Sequence, residues 1–347
     1  MTPLYSTMRF FFCLFCLPLM SVLGCAADQI LTIPAGEGAG QGKHIVLVSG
    51  DEEYRSEETC PMLAKLLSVH HGFDTTVLFA INPRTGVINP EIQTNIPGLE
   101  VLKTADLVIL DTRFRRLPED QLEHFAAYLN SGKPLIGLRT ATHAFTGGSQ
   151  AFGINWNNFG LDFLGEKWAG HHGVHKKEGA RGLPVEAQRQ HPILNGVEDI
   201  FAPSDVYTVK NLDESQATVL VRAAVTETME ADSKILDDDP RNKPLQAAIW
   251  LRPYTAPNGA KGTALCSTMG ASVDFESEGL RRTLVNAAFY LLDLEVPEEA
   301  DVSYVDPFEP TFFSRNPKAY WESIALKPSD FELGKSTAVG LAGSSDQ

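Results

Sequence analysis

The stretch PLIGLRTATHAF, residues 134–145, joins a short apolar run directly to a more polar segment. This pattern predicts a buried strand, a tight turn and then a helix. In an open α/β sheet, the turn at the carboxyl end of a strand is where ligands bind. Enzymes of this general build often carry a Ser or Cys nucleophile at such an elbow, but here the elbow holds Arg139. A guanidinium stays protonated and cannot attack a substrate, so this elbow must serve another purpose.

Strands and helices are predicted to alternate on both sides of the elbow. Continuous apolar runs are typical of buried parallel strands, and apolar stripes mark the helices at 117–133 and 278–294. An earlier helix is predicted with Pro61 in its first turn. The alternation predicts an α/β fold with a mostly parallel sheet covered on both faces. Besides the elbow strand, the predicted strands are HIVLVSG (44–50), FDTTVLFAI (73–81), ADLVILDTRF (105–114), LPVEAQ (183–188), SDVYTV (204–209), ATVLVRAAV (217–225), LQAAIWLR (245–252) and GTALCSTMG (262–270).

The strands and helices place one domain at residues 43–295, after a Gly-rich linker at 26–42. Residues 146–182 interrupt the alternation and predict a long loop over the carboxyl edge of the sheet. Residues 296–347 are rich in Pro and aromatic residues at first, and predict an extension that drapes over the domain before a disordered end.

The first 25 residues predict an export signal. Arg9 supplies a positive start, and the apolar core that follows is too short to span a membrane comfortably. The segment Val22-Leu23-Gly24-Cys25 resembles a bacterial lipobox, in which the Cys is lipidated and becomes the first residue. Cleavage of an ordinary signal near the small residues 24–27 is the alternative. We therefore expect an exported protein, anchored through Cys25 in the periplasm or at the cell surface.

The net charge narrows the possible binding partners, and the cysteine content indicates whether disulfides are expected. The formal net charge of −15 argues against nucleic acid, whose binding depends on clustered Lys and Arg. Only Cys60 and Cys266 lie in the predicted domain, both in core-like segments. A domain of this size does not depend on disulfides, so we expect both to be small buried apolar residues.

The strand ends carry the candidate catalytic groups Asp51, Glu53 and His143. Close carboxylates raise one another's pKa, which suits general acid–base work, although one of them could instead cap the following helix. His143 lies one helical turn past the elbow and could face the ligand, or be a packing residue. Either a carboxylate or this imidazole would carry the proton in a reaction.

The same edge carries groups suited to an oxygen-rich ligand. Arg113 and Arg139 present forked donors for hydroxyl or carboxylate oxygens, and could equally pair with nearby carboxylates. We expect Arg139 to reach up into the crevice and orient the ligand. The predicted substrate-binding residues are Tyr54, Arg113, Arg139, Thr140, His171, His172 and Asp274.

His171, His172 and His175 form the densest group of possible metal ligands. Neutral imidazoles bind zinc, nickel and iron, but the segment has no HExxH pattern and the further ligands are not evident. Hydrogen bonding to ligand hydroxyls from a flexible loop is the favoured interpretation, and neither a metal nor a cofactor is predicted. Trp156 and Trp168 could stack on a sugar face or be buried.

Several blocks together resemble the ThuA-like, or trehalose-utilisation, family. No single block is diagnostic, but their order and spacing match from about residue 43 to residue 294. The resemblance implies a flavodoxin-like, class I glutamine amidotransferase-like fold without the catalytic Cys, and an involvement with trehalose-like disaccharides or 3-keto sugars. The family's usual elbow has His and Ala where this chain has Arg139 and Thr140. The blocks are KPLIGLRTATHAF (133–145), GHHG (170–173), HPILNGV (191–197), SDVYTV (204–209) and STMGASVDFESEGLRRTLVNAAFYLL (267–292).

Two function classes follow from these residues and from the resemblance. One is an exported enzyme that acts on a sugar or keto-sugar, and the other is a non-catalytic carbohydrate-binding lipoprotein. A glutaminase is excluded because no nucleophile stands at the elbow. The expected partners are a small sugar and, through the lipid anchor, a membrane, whereas the oligomeric state is not indicated.

Overall fold

The computed structural model describes residues 29–147 and 150–336. The predicted leader and Cys25 lie outside these residues. Within them, no helix has both the length and the apolar character needed to cross a membrane. Cys60 and Cys266 are buried and unpaired, as the sequence predicts.

The described part contains strands and α-helices joined by short 3-10 turns. The strands are β1 (Ile30–Ile33), β2 (His44–Gly50), β3 (Asp74–Phe79), β4 (Leu107–Thr112), β5 (Leu135–Leu138), β6 (Gln150–Ala151), β7 (Ile154–Asn155), β8 (Ala180–Pro184), β9 (Ile200–Ala202), β10 (Thr218–Val225), β11 (Gln246–Thr255) and β12 (Lys261–Ser267). The helices are α1 (Ser56–Val69), α2 (Glu119–Asn130), α3 (Glu278–Leu291) and α4 (Lys318–Ile324).

Ten of the strands form one mixed sheet, in the order β1-β3-β2-β4-β5-β12-β11-β10-β8-β9. The pairs from β3 to β12 are parallel, and every other pair in this sheet is antiparallel. The predicted α/β sheet is confirmed, but its second half is not parallel. For β11 and β12 the physical reason is the connection: residues 256–260 join them as a tight turn, which allows only antiparallel pairing.

The parallel strands bring their carboxyl ends to one edge of the sheet. Gly50 of β2 pairs with Thr112 of β4, and Leu138 of β5 pairs with Ser267 of β12. The segments that follow these four residues therefore start side by side. This edge is where ligand-binding groups of an open α/β sheet are expected.

The helices lie on both faces of the parallel strands. Ile45 and Leu47 of β2 belong to the core that includes α1 and α3, whereas Val46 and Val48 belong to the core that includes α2. Because successive strand residues point to opposite faces, α1 and α3 cover one face and α2 covers the other.

The predicted linker at 26–42 includes a strand of the sheet. β1 pairs antiparallel with β3, and Leu31 and Ile33 are buried in the core beside α1. The linker prediction is therefore wrong for residues 30–33. Burial of alternate apolar side chains on an edge strand orders this short run, although four residues are too few to stand out in the sequence.

Three other local predictions differ from the structure. The segment 204–209 is not a strand and has only a single bridge, between His171 and Tyr207. The elbow leads into one 3-10 turn, Arg139–His143, rather than a longer helix. Helix α1 begins at Ser56, so Pro61 lies inside the helix and not in its first turn.

The C-terminal extension packs against the domain through residue 336. Phe313 and Trp321 are fully buried, and the backbone N–H of Ser314 donates to the carbonyl oxygen of Glu53 at 3.0 Å. The extension thus drapes over the domain as expected and also reaches the carboxyl edge. The predicted disordered end, residues 337–347, lies outside the described residues.

The first turn of α1 holds a buried carboxyl group. Glu57 has no solvent exposure, and one of its oxygens has no hydrogen-bond partner. Burial raises the pKa of Glu57 to about 8, although Arg55 lies 3.4 Å away and opposes the shift. The folded protein therefore keeps a proton on Glu57 that the unfolded chain releases near pH 4.5.

We expect the protein to lose stability as the pH rises from about 5 to 8, because in this range the unfolded chain has released the proton that the folded protein still holds. One such group contributes a slope of up to about 1.4 kcal/mol per pH unit. Glu57→Gln cannot ionise and should remove this contribution, as measured by urea unfolding at several pH values. The exposed Glu123→Gln on α2 is the control. Parallel pH profiles for the parent and Glu57→Gln would contradict the assignment.

Candidate functional site

The elbow is a sharp turn at the end of β5. Arg139 has a φ of 37°, in the left-handed region that non-glycine residues seldom adopt. Such a conformation costs about 1–3 kcal/mol and persists only where the surroundings hold it. The predicted elbow therefore exists, with an arginine at its strained position.

The Arg139 side chain is enclosed, contrary to the expectation that it reaches into an open crevice. It has no solvent exposure, and its guanidinium carbon lies 4.1 Å from the ring centroid of Tyr54 and 4.7 Å from that of Tyr207. Two aromatic faces thus enclose the cation. Because it is covered, its guanidinium cannot contact a ligand directly in this structure.

Hydrogen bonds from Arg139 join three segments of the chain. One terminal nitrogen donates to the carbonyl oxygens of Asp205 and Thr268, at 3.0 and 3.1 Å. The other donates to the carbonyl oxygen of Ser204 at 2.5 Å and to the Asp205 carboxylate at 3.2 Å. The buried cation therefore fixes the end of β12 and the segment at 204–205 relative to the elbow.

Asp51, predicted to be catalytic, is fully buried and holds a turn. Its carboxylate accepts hydrogen bonds from the backbone N–H groups of Glu53 and Tyr54, and from the Thr140 hydroxyl at 2.5 Å. Asp51 and Thr140 thus connect the turn after β2 to the elbow. Neither of them is open to a ligand.

Two further predicted binding residues also lie away from the charged chain. Asp274 is fully buried and accepts hydrogen bonds from the backbone and hydroxyl of Ser204 and from the backbone of Gly270. The His172 ring nitrogen Nε2 lies 2.9 Å from the carbonyl oxygen of Arg241, so it contacts a different loop. The structure does not bring either residue to the open part of the site.

A chain of charged groups remains at this edge, and only its two histidines are partly exposed. Arg113 donates to Glu53 at 2.5 Å, and Glu53 Oε1 lies 3.7 Å from His175 Nε2. His175 Nδ1 lies 3.1 Å from Asp205 Oδ2, and His171 Nδ1 lies 3.0 Å from the same oxygen. Glu53, Arg113 and His171 are therefore brought together as predicted, with His175 and Asp205 between them.

The ionisation of this chain follows from its contacts. Burial raises the pKa of Glu53, but the nearby His175 and the charge of Arg113 outweigh it and lower that pKa to about 2. Burial also raises the pKa of Asp205, and the two histidines with Arg139 bring it below its ordinary value. Both carboxylates are therefore ionised at neutral pH.

His143 lies beside these charged groups and packs among aromatic rings. Its ring centroid lies 5.0 Å from that of Phe114, 5.5 Å from that of Trp168 and 5.8 Å from that of Tyr207. Burial and the charges of Arg113 and Arg139 hold the pKa of His143 well below its ordinary value. The imidazole is therefore neutral at pH 7.

An exposed aromatic rim surrounds the charged chain. Trp168 keeps 42% of its surface exposed, and Phe312 of the C-terminal extension keeps 51%. Arg315 is also largely exposed and reaches Glu53 at 3.4 Å. Trp156, the other candidate for stacking, is buried in the core.

Sequence reasoning missed Asp205, Tyr207 and the contribution of residues 312–315. Asp205 and Tyr207 belong to a segment that was predicted as a strand, whose alternation hid their role. The extension carries an unusual density of aromatic residues, but nothing in its sequence indicates which part of the domain it covers. Asp205 and Arg139 are 66 positions apart, so only the folded chain relates them.

The buried ion pair gives a direct prediction. Arg139→Leu leaves the Asp205 carboxylate buried without its cation, so it should lower the free energy of unfolding by about 3–5 kcal/mol. Arg116→Leu makes the same change at an exposed position and should stay within about 0.5 kcal/mol of the parent. Urea unfolding followed by circular dichroism measures both. Equal stability of the two variants would show that the ion pair is dispensable.

The chain matches no protein-family model, and a search of curated proteins finds no match either. Among solved structures it is similar to a protein from Parabacteroides merdae ATCC 43184 that is described as thua-like, with 13% identity and a TM-score of 0.49 over 74% of this chain and 92% of that chain. It is also similar to Gan42B, a GH42 beta-galactosidase, with 10% identity and a TM-score of 0.39 over 74% of this chain and 31% of that chain.

A further similarity is to an exo-beta-1,4-mannosidase from Opitutaceae bacterium strain TAV5, with 8% identity and a TM-score of 0.33. That match covers 72% of this chain and 36% of the mannosidase, so the chain spans about a third of the length of both glycosidases.

Proposed function

We propose that this protein binds a sugar at the carboxyl edge of the sheet and acts on it there. The sugar class is a trehalose-like disaccharide or its 3-keto form, as the resemblance to the ThuA-like family implies. The observation that carries the proposal is the position of exposed Trp168 beside His171 and His175, the partly exposed members of the charged chain from Arg113 to Asp205.

Sugars present an apolar face of C–H groups and a periphery of hydroxyls. An exposed indole suits the first, and charged hydrogen-bonding groups suit the second. Trp168 lies 6.3 Å from His171 between ring centroids, so one sugar ring can contact both. Glu53 and Arg113 already pair with each other, and hydroxyls that approach them gain charge-assisted hydrogen bonds.

His143 is the group best placed to carry a proton if the bound sugar reacts. It is neutral, its Nδ1 lies 3.1 Å from the Thr142 hydroxyl, and its ring is close to that of Trp168. A neutral imidazole beside the ligand can accept a proton at neutral pH. Asp51 acts instead as a positioning residue, because it holds the turn that carries Glu53.

The proposal also includes a finer fold class and a cellular location. The parallel strands run in the order second, first, third, fourth, fifth along the chain, which is the order of a flavodoxin-like doubly wound sheet. The N-terminal leader supports export and a lipid anchor at Cys25.

Isothermal titration with trehalose, other disaccharides and their 3-keto forms tests the proposal. Trp168→Ala should raise the Kd by roughly 3- to 10-fold, because it removes one stacking face. Phe152→Ala is the matched control, since Phe152 is also 42% exposed but lies beside the separate hairpin of β6 and β7. The sugar proposal fails if no member of the panel binds, or if both variants bind equally.

Turnover of the same panel separates an enzyme from a non-catalytic carbohydrate-binding protein. His143→Gln should abolish turnover of the bound sugar while changing its Kd little. Binding without turnover by the parent protein would support the non-catalytic alternative.

A further inference from the structure

We propose that His171, His175 and Asp205 bind one divalent transition-metal ion, and that Zn²⁺ fits this set of ligands best. The inference differs from the expectation that these histidines form hydrogen bonds to a ligand and bind no metal. The inference deepens the proposed function. The role of the metal toward a sugar rests on that function, but zinc binding itself is tested without sugar.

The backbone places the two histidines on one side of a loop. His171 forms a bridge with Tyr207, and the N–H of His172 donates to the carbonyl oxygen of Val206. This pairing sets His171 directly beside the segment that carries Asp205. The turn at 174–178 then brings His175 back to the same carboxylate, whereas His172 points to the carbonyl oxygen of Arg241.

The distances suit a three-ligand site. The Nδ1 atoms of His171 and His175 lie 3.0 and 3.1 Å from Asp205 Oδ2, and one ligand atom from each residue lies within 4.8 Å of the other two. Zinc binds nitrogen and oxygen at about 2.0–2.2 Å, which separates neighbouring ligands by about 3.3 Å in a tetrahedron. Both nitrogen–oxygen distances are therefore within a few tenths of an ångström of this spacing.

The second ring nitrogen of His175 has a carboxylate beside it that could orient the ring. His175 Nε2 lies 3.7 Å from Glu53 Oε1. That nitrogen is buried and has no hydrogen-bond partner. A metal on Nδ1 moves the proton to Nε2, where it faces the Glu53 carboxylate. Ligating histidines are commonly oriented by a carboxylate in this way.

The Asp205 carboxylate is oriented by Arg139 on the side away from the histidines. Arg139 donates to Asp205 Oδ1 at 3.2 Å and leaves Oδ2 to the histidines. A buried guanidinium thus fixes the orientation of the ligating carboxylate. Asp205 and His175 therefore each have a partner that orients them, Arg139 and Glu53 respectively.

The exposure of the two histidines is typical of a catalytic metal site rather than a structural one. The side chains of His171 and His175 are each 24% exposed, so solvent reaches both imidazoles, whereas Asp205 is buried behind them. Three protein ligands leave a fourth position for water or for an oxygen of a ligand. If the proposed function holds, a hydroxyl or keto oxygen of the sugar occupies that position, where the ion polarises it.

Zinc binding by the full chain, purified without a histidine tag and stripped with a chelator, tests the inference. We expect one equivalent of zinc by elemental analysis after dialysis, and a competition titration against a chromophoric chelator gives its Kd. His171→Ala and His175→Ala should each weaken binding by about 100-fold or more, because two ligands remain. Circular dichroism confirms that each variant is folded, and either one suffices if the other is not.

His172→Ala is the matched control, because it removes a histidine from the same loop whose ring contacts Arg241 instead. It should keep the zinc. Glu53→Gln should weaken binding by about 10-fold, as expected for a residue that orients a ligand. Magnesium should not compete, since imidazole is a poor ligand for it.

The inference is overturned if the parent binds no zinc, or if His172→Ala loses as much zinc as His171→Ala. The sugar titrations and the zinc titrations test different proposals. Zinc bound without any sugar contradicts the proposed function alone, and a sugar bound without zinc contradicts the metal site alone.

Discussion

The burial of Arg139 is the constraint on which the carboxyl edge depends. A guanidinium cannot lose its proton, so the interior must supply a counter-charge and acceptors for its donors. The chain supplies Asp205, three carbonyl oxygens and the faces of Tyr54 and Tyr207. The strained φ of Arg139 is stable only because all these contacts act together.

This constraint links the two halves of the sheet. Arg139 belongs to the parallel half, whereas Asp205 belongs to a loop after β9 at the antiparallel end of the sheet. The loop with His171 and His175 pairs with the Asp205 segment, and the C-terminal extension adds Arg315 above Glu53. The site is thus assembled from segments far apart in the chain, all of them held against one elbow.

The sequence predicts the parts of the fold that local pattern controls. Buried strands such as β2 and β4 read as continuous apolar runs, and α2 shows its stripe over three turns. The antiparallel half was not predicted, because apolar runs alone do not specify strand direction. β1 was missed because four residues carry too little pattern, and its order comes from pairing with β3.

Part of the site could also be predicted from the sequence. Strand ends locate Glu53, Arg113 and Arg139, since topology alone brings these positions to one edge. The expectation that Arg139 faces the crevice failed because residues 204–208 fold over it. Whether an elbow residue is a ligand contact or a buried support depends on what covers it, and the covering segment is distant in sequence.

A double-mutant cycle on Arg139 and Asp205 tests the central claim most directly. The free energies of unfolding of Arg139→Met, Asp205→Asn and the double variant are measured beside the parent. If the buried pair supports the site, each single change leaves a group without its partner, and the double variant should lose at least about 2 kcal/mol less than the sum of the singles. Additive losses, within about 0.5 kcal/mol, would contradict the account.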